Sequence, residues 1–162
     1  MLNNTKIRRV IGIDPGLADL GYGIIELQDN KWQALTYGSI KTDKKQTQSQ
    51  RLVELFSQLT TILDLYQPNE ASIESLYFAQ NTTTAFMVGQ ARGVVLLELA
   101  KRNIPIKEVN PQVVKQSIGG YGAAKKQQVG TMVKILLNLD KIPKPDDAAD
   151  ALAIALTGAQ IR

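Results

Sequence analysis

The organisation of this chain is best approached from residues 145–156, Pro-Asp-Asp-Ala-Ala-Asp-Ala-Leu-Ala-Ile-Ala-Leu. A proline at the start, acids in the first turn and a run of alanine and leucine predict a helix. Asp147 and Asp150 are three residues apart, so both side chains project from one face, which continues as the apolar Ile154. A carboxylate pair beside an apolar face is costly unless a helix dipole, a basic side chain or a metal ion compensates it.

The residue types missing from the chain narrow its chemistry. Its 162 residues include no cysteine and no histidine, which excludes disulfides, thiolate nucleophiles, Ser-His-Asp triads and Cys/His zinc sites within this chain. Carboxylate, lysine, hydroxyl and backbone groups remain. Because oxygen-only ligands suit magnesium or manganese, any metal site here would be built from acids and would hold one of these ions.

The net charge is modest, but the distribution of the charged residues matters more than their sum. The chain carries 19 basic and 15 acidic residues, a net charge of +4. If four acids were sequestered around metal, 11 of the 15 would remain against the 19 basic residues, which is +8 for the rest of the chain. That balance favours a polyanionic partner, although ordinary solubility is an equally simple explanation of the charge alone.

The sequence contains no run of 18 apolar residues that would predict a membrane-spanning helix. Residues 1–9 are polar and then basic, without an apolar secretion segment. We therefore expect a cytoplasmic protein that has no membrane partner.

Hydrophobic periodicity predicts strands and helices along most of the chain, with three strands in a meander first and alternating elements after them. The predicted strands are 8–14, 20–27, 32–40, 71–75 and 104–109, and the predicted helices are 49–66, 81–102, 110–117, 123–138 and 145–156. We expect a single α/β domain over residues 1–162, with helices layered on a mixed sheet.

Acids end two of the predicted strands, Asp14 and Glu74. The right-handed crossover rule places the strand of Glu74 beside that of Asp14, and ligands bind at the carboxyl edge of open α/β sheets. The helix that carries Asp147 and Asp150 could pack across the same edge. Four converging carboxylates would repel one another, whereas two divalent ions about 3.5–4 Å apart would turn the repulsion into binding and support in-line phosphoryl displacement.

Each acid also has a simpler explanation. Asp14 precedes Pro-Gly and could initiate a turn, Glu74 could pair with a nearby lysine, and Asp146 and Asp147 could favour the helix N-terminus through its dipole. The dipole explains Asp150 least, since this residue lies one turn into the helix. We expect Asp146 to point outward as an ordinary first-turn residue.

Six motifs occur in order along nearly the whole chain: Ile-Gly-Ile-Asp-Pro-Gly at 11–16, Gly-Tyr-Gly at 21–23, Ile-Glu at 73–74, Gly-Gln-Ala-Arg-Gly-Val at 89–94, Val-Lys-Gln at 114–116 and Asp-Ala-Ala-Asp-Ala-Leu-Ala at 147–153. Together they closely resemble the RuvC family of Holliday junction resolvases. The resemblance is specific, because the motifs at 89–94 and 147–153 are hard to match together elsewhere.

The resemblance implies a ribonuclease-H-like fold, a five-stranded mixed sheet flanked by helices on both faces. It implies a homodimeric, magnesium-dependent endonuclease of recombination and repair, which nicks two opposing strands of a four-way DNA junction symmetrically and leaves 5′-phosphate and 3′-hydroxyl ends. By the match, Asp14, Glu74, Asp147 and Asp150 are the catalytic acids and hold two Mg²⁺ ions, which Mn²⁺ would replace. A branch-migration complex of RuvA and RuvB type proteins is the implied protein partner.

The resemblance also implies DNA contacts. Lys115 and Lys126 match basic positions of the family, and Lys126 lies near a predicted helix start, which favours a phosphate site. Tyr77 matches an aromatic residue near the junction centre and could stack on an unpaired base. The alternatives are solvated lysines and a tyrosine packed in the core. Small residues at 89, 91 and 93 predict close helix packing, either with a second subunit or within the monomer.

Three other functions fit parts of the sequence. Residues 12–16 are similar to the first phosphate loop of sugar kinases and actin-like ATPases, but Leu17 stands where Thr or Ser is expected, and 162 residues are too few for two such lobes. A non-catalytic junction-binding module would gain nothing from keeping all four acids. A ribonuclease-H-like nuclease that acts on structured RNA remains an alternative substrate assignment.

Overall fold

The computed structural model describes residues 7–76, 82–120, 122 and 124–161. Five strands and five helices follow one another within these ranges: β1 (Arg9–Asp14), β2 (Asp19–Gln28), β3 (Lys31–Lys41), α1 (Gln48–Tyr66), β4 (Glu70–Glu74), α2 (Thr82–Lys101), β5 (Ile106–Val109), α3 (Pro111–Gly119), α4 (Lys126–Leu136) and α5 (Asp146–Gln160).

The strands form one mixed sheet in the order β3-β2-β1-β4-β5. The meander pairs β1 with β2 and β2 with β3 in antiparallel fashion, whereas β4 lies parallel to both β1 and β5. The predicted mixed sheet is confirmed, and so is the prediction that the strand of Glu74 lies beside that of Asp14. Because Ile13 is level with Ile73, both acids end their strands at the same edge.

Each face of the sheet is covered by helices, as predicted. Side chains alternate along β1, so Val10 packs into a core shared with α3, α4 and α5, while Ile11 and Ile13 pack into a second core shared with α1 and α2. Among the helices described, none is long and apolar enough to cross a membrane.

Helix α5 rests directly on the backbone of the central strand β1 and of its neighbour β2. A Cβ atom added at Gly12 of β1 would lie 2.8 Å from the Cβ of Ala155, and one added at Gly21 of β2 would lie 2.6 Å from the carbonyl carbon of Asp147. Real side chains do not tolerate such distances, so only glycine permits this approach. Gly21 is also the β2 residue paired with Asp14, so the contact brings the start of α5 to the end of β1.

The helix termini differ from the sequence prediction by a few residues. α4 begins at Lys126 rather than 123, because the side chain of Gln128 accepts the backbone N–H of Lys125 and makes Lys125 the N-cap. α5 continues to Gln160 rather than 156, because its last turns are buried on the sheet.

The edge strand β5 is shorter than predicted and begins at Ile106 rather than 104. The backbone N–H of Ile104 donates to the carbonyl of Leu99 at 3.1 Å and so closes the end of α2. Asn103 takes a left-handed conformation there, with φ of 55°, which is typical of a residue just past a helix end.

Candidate active site

The four predicted acids come from three elements that meet at one edge of the sheet. Asp14 ends β1, Glu74 ends β4, and Asp147 and Asp150 occupy the first two turns of α5. Asp14, Asp147 and Asp150, here called the acid trio, offer carboxylate oxygens that all lie within 4.8 Å of one another. Glu74 is outside this trio, but its charge acts on Asp14 and Asp150 acts on it. The structure therefore brings all four to one locality, with three of them closest.

Burial and mutual repulsion disturb these acids. Burial, and then the charges of Glu74, Asp150 and Asp147, raise the pKa of Asp14 to about 7. Burial, and then Asp150, also raise the pKa of Glu74. Burial is the main cause of the raised pKa of Asp147. Burial and repulsion disfavour the charged form of these carboxylates, and a nearby cation would stabilise it.

One basic side chain already contacts the trio. The Nζ atom of Lys126 lies 2.8 Å from Oδ2 of Asp150, and this hydrogen bond is the main cause that raises the pKa of Lys126. Lys126 is the first residue of α4. Sequence reasoning placed Lys126 at a helix start but missed the ion pair, because the pair depends on how α4 packs against α5.

A second lysine lies near Glu74. The positive charge of Lys115 on α3 partly offsets the effect of burial, which raises the pKa of Glu74. Both predicted DNA-contact lysines line a cavity of about 510 Å³, together with Lys125, Glu74 and Asp150. Acids and bases thus share one open cavity, the arrangement expected where a phosphate and a cation bind side by side.

Buried hydrogen bonds hold the segment that follows Asp14. The hydroxyl of Thr42 donates to the carbonyl of Leu17 at 2.6 Å, and Nε of Arg51 donates to that hydroxyl at 2.9 Å. Both Thr42 and Arg51 are buried. These two hydrogen bonds could not be predicted from the sequence, because Thr42 lies in the polar stretch between the third predicted strand and the first predicted helix.

Asp19 is a further acid near the site that sequence reasoning missed. It begins β2, accepts a hydrogen bond from the hydroxyl of Ser39 at 3.1 Å, and its charge raises the pKa of Asp147. The strand prediction began one residue later, and Asp19 lies outside the quoted motifs. Only the pairing of β2 with β1 reveals its proximity.

Two other predicted residues have separate outcomes. Asp146 is exposed and pairs with Lys144 at 2.6 Å, as expected for a residue outside the acid cluster. Tyr77 lies outside the described residues, so its predicted contact with an unpaired base stays a prediction.

The residues of this edge fit a divalent metal ion. Every donor is a carboxylate oxygen, and three of them are close enough to share an ion. Burial and then repulsion among the acids raise the pKa of Asp14 to about 7, and a bound cation would relieve both effects. Oxygen donors of this kind suit hard cations such as Mg²⁺ and Mn²⁺.

The fold around this edge is that of a ribonuclease-H-like nuclease, and solved structures of known proteins confirm this class. The structure of Thermus thermophilus RuvC in complex with a Holliday junction substrate matches with a TM-score of 0.88 and 33% identity, over 94% of this chain and 93% of that one. The yeast mitochondrial Holliday junction resolvase Ydc2 matches with a TM-score of 0.63 at 18% identity, over 93% and 78% of the two chains, and shows the shared fold only.

Sequence comparisons place the chain within that class. The family model described as "Crossover junction endodeoxyribonuclease RuvC" matches residues 10–158. The RuvC of Heliobacterium modesticaldum is 50% identical over 147 residues, which are 91% of each chain, and the RuvC of Brevibacillus brevis is 46% identical over 154 residues, 95% of this chain and 93% of that one. The chain belongs to the RuvC family of crossover junction endodeoxyribonucleases.

Proposed function

We propose that this protein resolves four-way (Holliday) DNA junctions by paired, symmetric nicks in recombination and repair. The observation that carries the proposal is the acid trio with Glu74 beside it, at the sheet edge and next to two lysines. Family membership supports it, as does the close match to a relative solved with a junction substrate. The acid edge supplies the means to cut, and the lysines supply the means to hold a phosphate.

Asp14, Glu74, Asp147 and Asp150 are proposed to hold two Mg²⁺ ions, for which Mn²⁺ would substitute. Bound metal would supply an activated water and neutralise charge on the reacting phosphate. The chain's own part is geometric: α5 holds Asp147 and Asp150 over the end of β1, and the buried hydrogen bond of Thr42 fixes the segment after Asp14. The expected products carry 5′-phosphate and 3′-hydroxyl ends.

The lysines are proposed to bind and orient the DNA backbone. Lys126 at the first turn of α4 and Lys115 on α3 line the same cavity as Glu74 and Asp150. Contacts to phosphate fix the register of a nucleic acid without reading its sequence. Tyr77 is proposed to stack on an unpaired base near the junction centre.

A homodimer is proposed, because a junction with paired nicks has a two-fold axis of its own. Phe86 and Leu97 of α2 are 67% and 59% exposed. Gly89 and Gly93 lie between them on the same side of the helix, and an added Cβ at either would meet none of the described atoms within 4 Å. Ala91 instead packs in the core of the monomer. This exposed face of α2 suits a second subunit.

The remaining assignments rest on the same function. We assign the activity to one nuclease domain over residues 1–162, since both cores share one sheet. A junction resolvase of bacterial type would work in the cytoplasm, where the chromosome lies, and would receive its substrate from a branch-migration complex of RuvA and RuvB type proteins.

The test is cleavage of a synthetic four-way junction with and without Mg²⁺, beside linear duplex and structured RNA of equal length. We expect paired nicks in the junction only, and only with the ion. Glu74→Gln should abolish cleavage and retain junction binding, with the exposed Glu108→Gln as the matched control. Equal cleavage by Glu74→Gln and wild type would refute the mechanism, and junction binding without any cleavage would favour a non-catalytic binding module.

A further inference from the structure

Lys126 is the one basic residue, within the described part of the chain, that forms an ion pair with a member of the acid trio. Its charge also acts on Asp14, Glu74 and Asp147. Lys115, by contrast, acts on Glu74 and forms no ion pair with the acid trio among the described residues. Lys126 is thus the resident counter-cation of the whole cluster.

This arrangement conflicts with metal binding. A Mg²⁺ ion contacts its oxygen ligands at about 2.0–2.1 Å, and the Lys126 ammonium lies only 2.8 Å from Oδ2 of Asp150. A Mg²⁺ ion bound to the same carboxylate would lie close to the Lys126 ammonium with little solvent between the two positive charges. Like charges at such a separation repel each other. The ammonium group and the metal ion therefore compete for Asp150.

Lys126 could pair with an anion other than Asp150. Its side chain is 57% exposed, and it lines the cavity of about 510 Å³ with Lys115 and Lys125. A DNA phosphate in that cavity would offer Lys126 anionic oxygens of the kind it now finds on Asp150. A phosphate near the first turn of α4 would also meet the positive end of the helix.

We propose that Lys126 is an exchange residue: it pairs with Asp150 in the free protein and transfers to a DNA phosphate when the junction binds, which frees Asp150 for the metal ion. DNA binding then raises metal affinity. By linkage, metal binding raises DNA affinity by the same factor. The protein would thus assemble its metal site mainly on DNA. The inference rests on the proposed function, because it takes junction DNA as the incoming anion.

The first test measures metal binding without DNA. Mn²⁺ is titrated calorimetrically into wild type, Lys126→Gln, Lys126→Arg and Lys115→Gln, each checked for folding by circular dichroism. We expect Lys126→Gln to bind Mn²⁺ about 5-fold or more tightly than wild type, in the range usual for coupled sites. Lys115→Gln removes the same charge without an ion pair to the trio, and should change the affinity less, while Lys126→Arg should stay near wild type.

Equal or weaker Mn²⁺ binding by Lys126→Gln would overturn the exchange. A matching gain in Lys115→Gln would also overturn it, because the effect would then be one of general charge.

The second test repeats the titration with Ca²⁺ in place of Mn²⁺ to slow cleavage, at junction concentrations that saturate each protein. Wild type should bind Ca²⁺ about 5-fold or more tightly with DNA than without it, and Lys126→Gln should lose most of that gain. An undiminished gain in the variant would overturn the proposal. If wild type cuts junctions but the two lysine variants bind metal alike, the exchange fails and the function stands. If wild type does not cut, the function fails, and the DNA-free titration still reports on the competition for Asp150.

Discussion

The two ends of α5 differ in how well acidic and basic groups balance each other. At the C-terminal end, Arg8 and Lys107 both pair with Glu70. They also donate to the carbonyls of Gly158 and Ala159 in the last turn and of Ile161 just after it. Cations at this end interact favourably with the negative end of the helix dipole. The hydrogen bond from Arg8 lowers the pKa of Glu70. The charges there are matched, and the arrangement stabilises the fold.

At the N-terminal end the charges are unmatched. Three carboxylates share a small volume, and Lys126 alone forms an ion pair with them among the described residues. Burial and repulsion raise the pKa of Asp14 to about 7. At the opposite end of the helix, by contrast, the pKa of Glu70 is lowered. One end of the helix thus stabilises the fold, whereas the other end lowers stability by keeping acids together at the proposed cation site, which is a common cost of function.

The largest expected effect comes from Asp14→Asn at the unmatched end. Junction cleavage should fall by about 100-fold or more, because a proposed metal ligand is lost, while metal-free stability rises by about 1–2 kcal/mol, because a repelled carboxylate is gone. The raised pKa means that the folded protein holds a proton which the unfolded chain releases near pH 4, so wild-type stability should fall as pH rises from about 4 to 7. The variant should show a smaller slope.

Cleavage assays and urea denaturation in chelator at several pH values check both parts. A variant that loses both cleavage and stability at pH 7 would contradict the contrast between the two ends.

An intermediate effect is expected where α5 rests on the sheet. Gly12→Ala should destabilise the protein by about 3 kcal/mol, since its new methyl group meets the backbone of α5 and must push it away. Gly89→Ala adds the same group where no described atom of the same chain lies within 4 Å, and should stabilise α2 of the dissociated subunit by about 0.5–1 kcal/mol.

Urea denaturation at two protein concentrations measures both variants and separates subunit dissociation from unfolding. Equal stability of Gly12→Ala and wild type would show that the contact between α5 and β1 is looser than described.

The smallest effect belongs to the matched end. Glu70→Gln should cost about 1 kcal/mol at pH 7, because a partly buried charged hydrogen bond becomes a neutral one, and should leave junction cleavage unchanged. Since the pKa of Glu70 is lowered in the folded state, its contribution is present above its usual pKa and disappears as pH falls below it. Thermal melts of both proteins between pH 3 and 7 should therefore converge at the acid end, and a constant difference would disprove this origin.

Much of the contrast could be predicted from the sequence, because it depends on local rules. Strand-ending acids at Asp14 and Glu74, together with the handedness of crossovers, were enough to place both at one sheet edge. The spacing of Asp147 and Asp150 was enough to put them on one helix face.

What the sequence left out depends on contacts between distant elements. The sequence places Gly12 and Gly21 in predicted strands and in the quoted motifs, but it does not show that α5 lies on them. The pair of Lys126 with Asp150 joins α4 to α5, and the network around Glu70 joins a strand to a helix end far along the chain. Each requires knowing which helix packs where, which periodicity alone does not specify.

The contact of α5 with bare backbone also limits how this site can change. The strands approach the helix at Gly12 and Gly21, where they contribute main-chain atoms only and no side chain of their own lies in between. A substitution at either position can only add atoms, so it can only lengthen the separation of Asp14 from Asp147 and Asp150. The acid edge is therefore held at its minimum width, and point mutation at these two glycines offers no route to a narrower one.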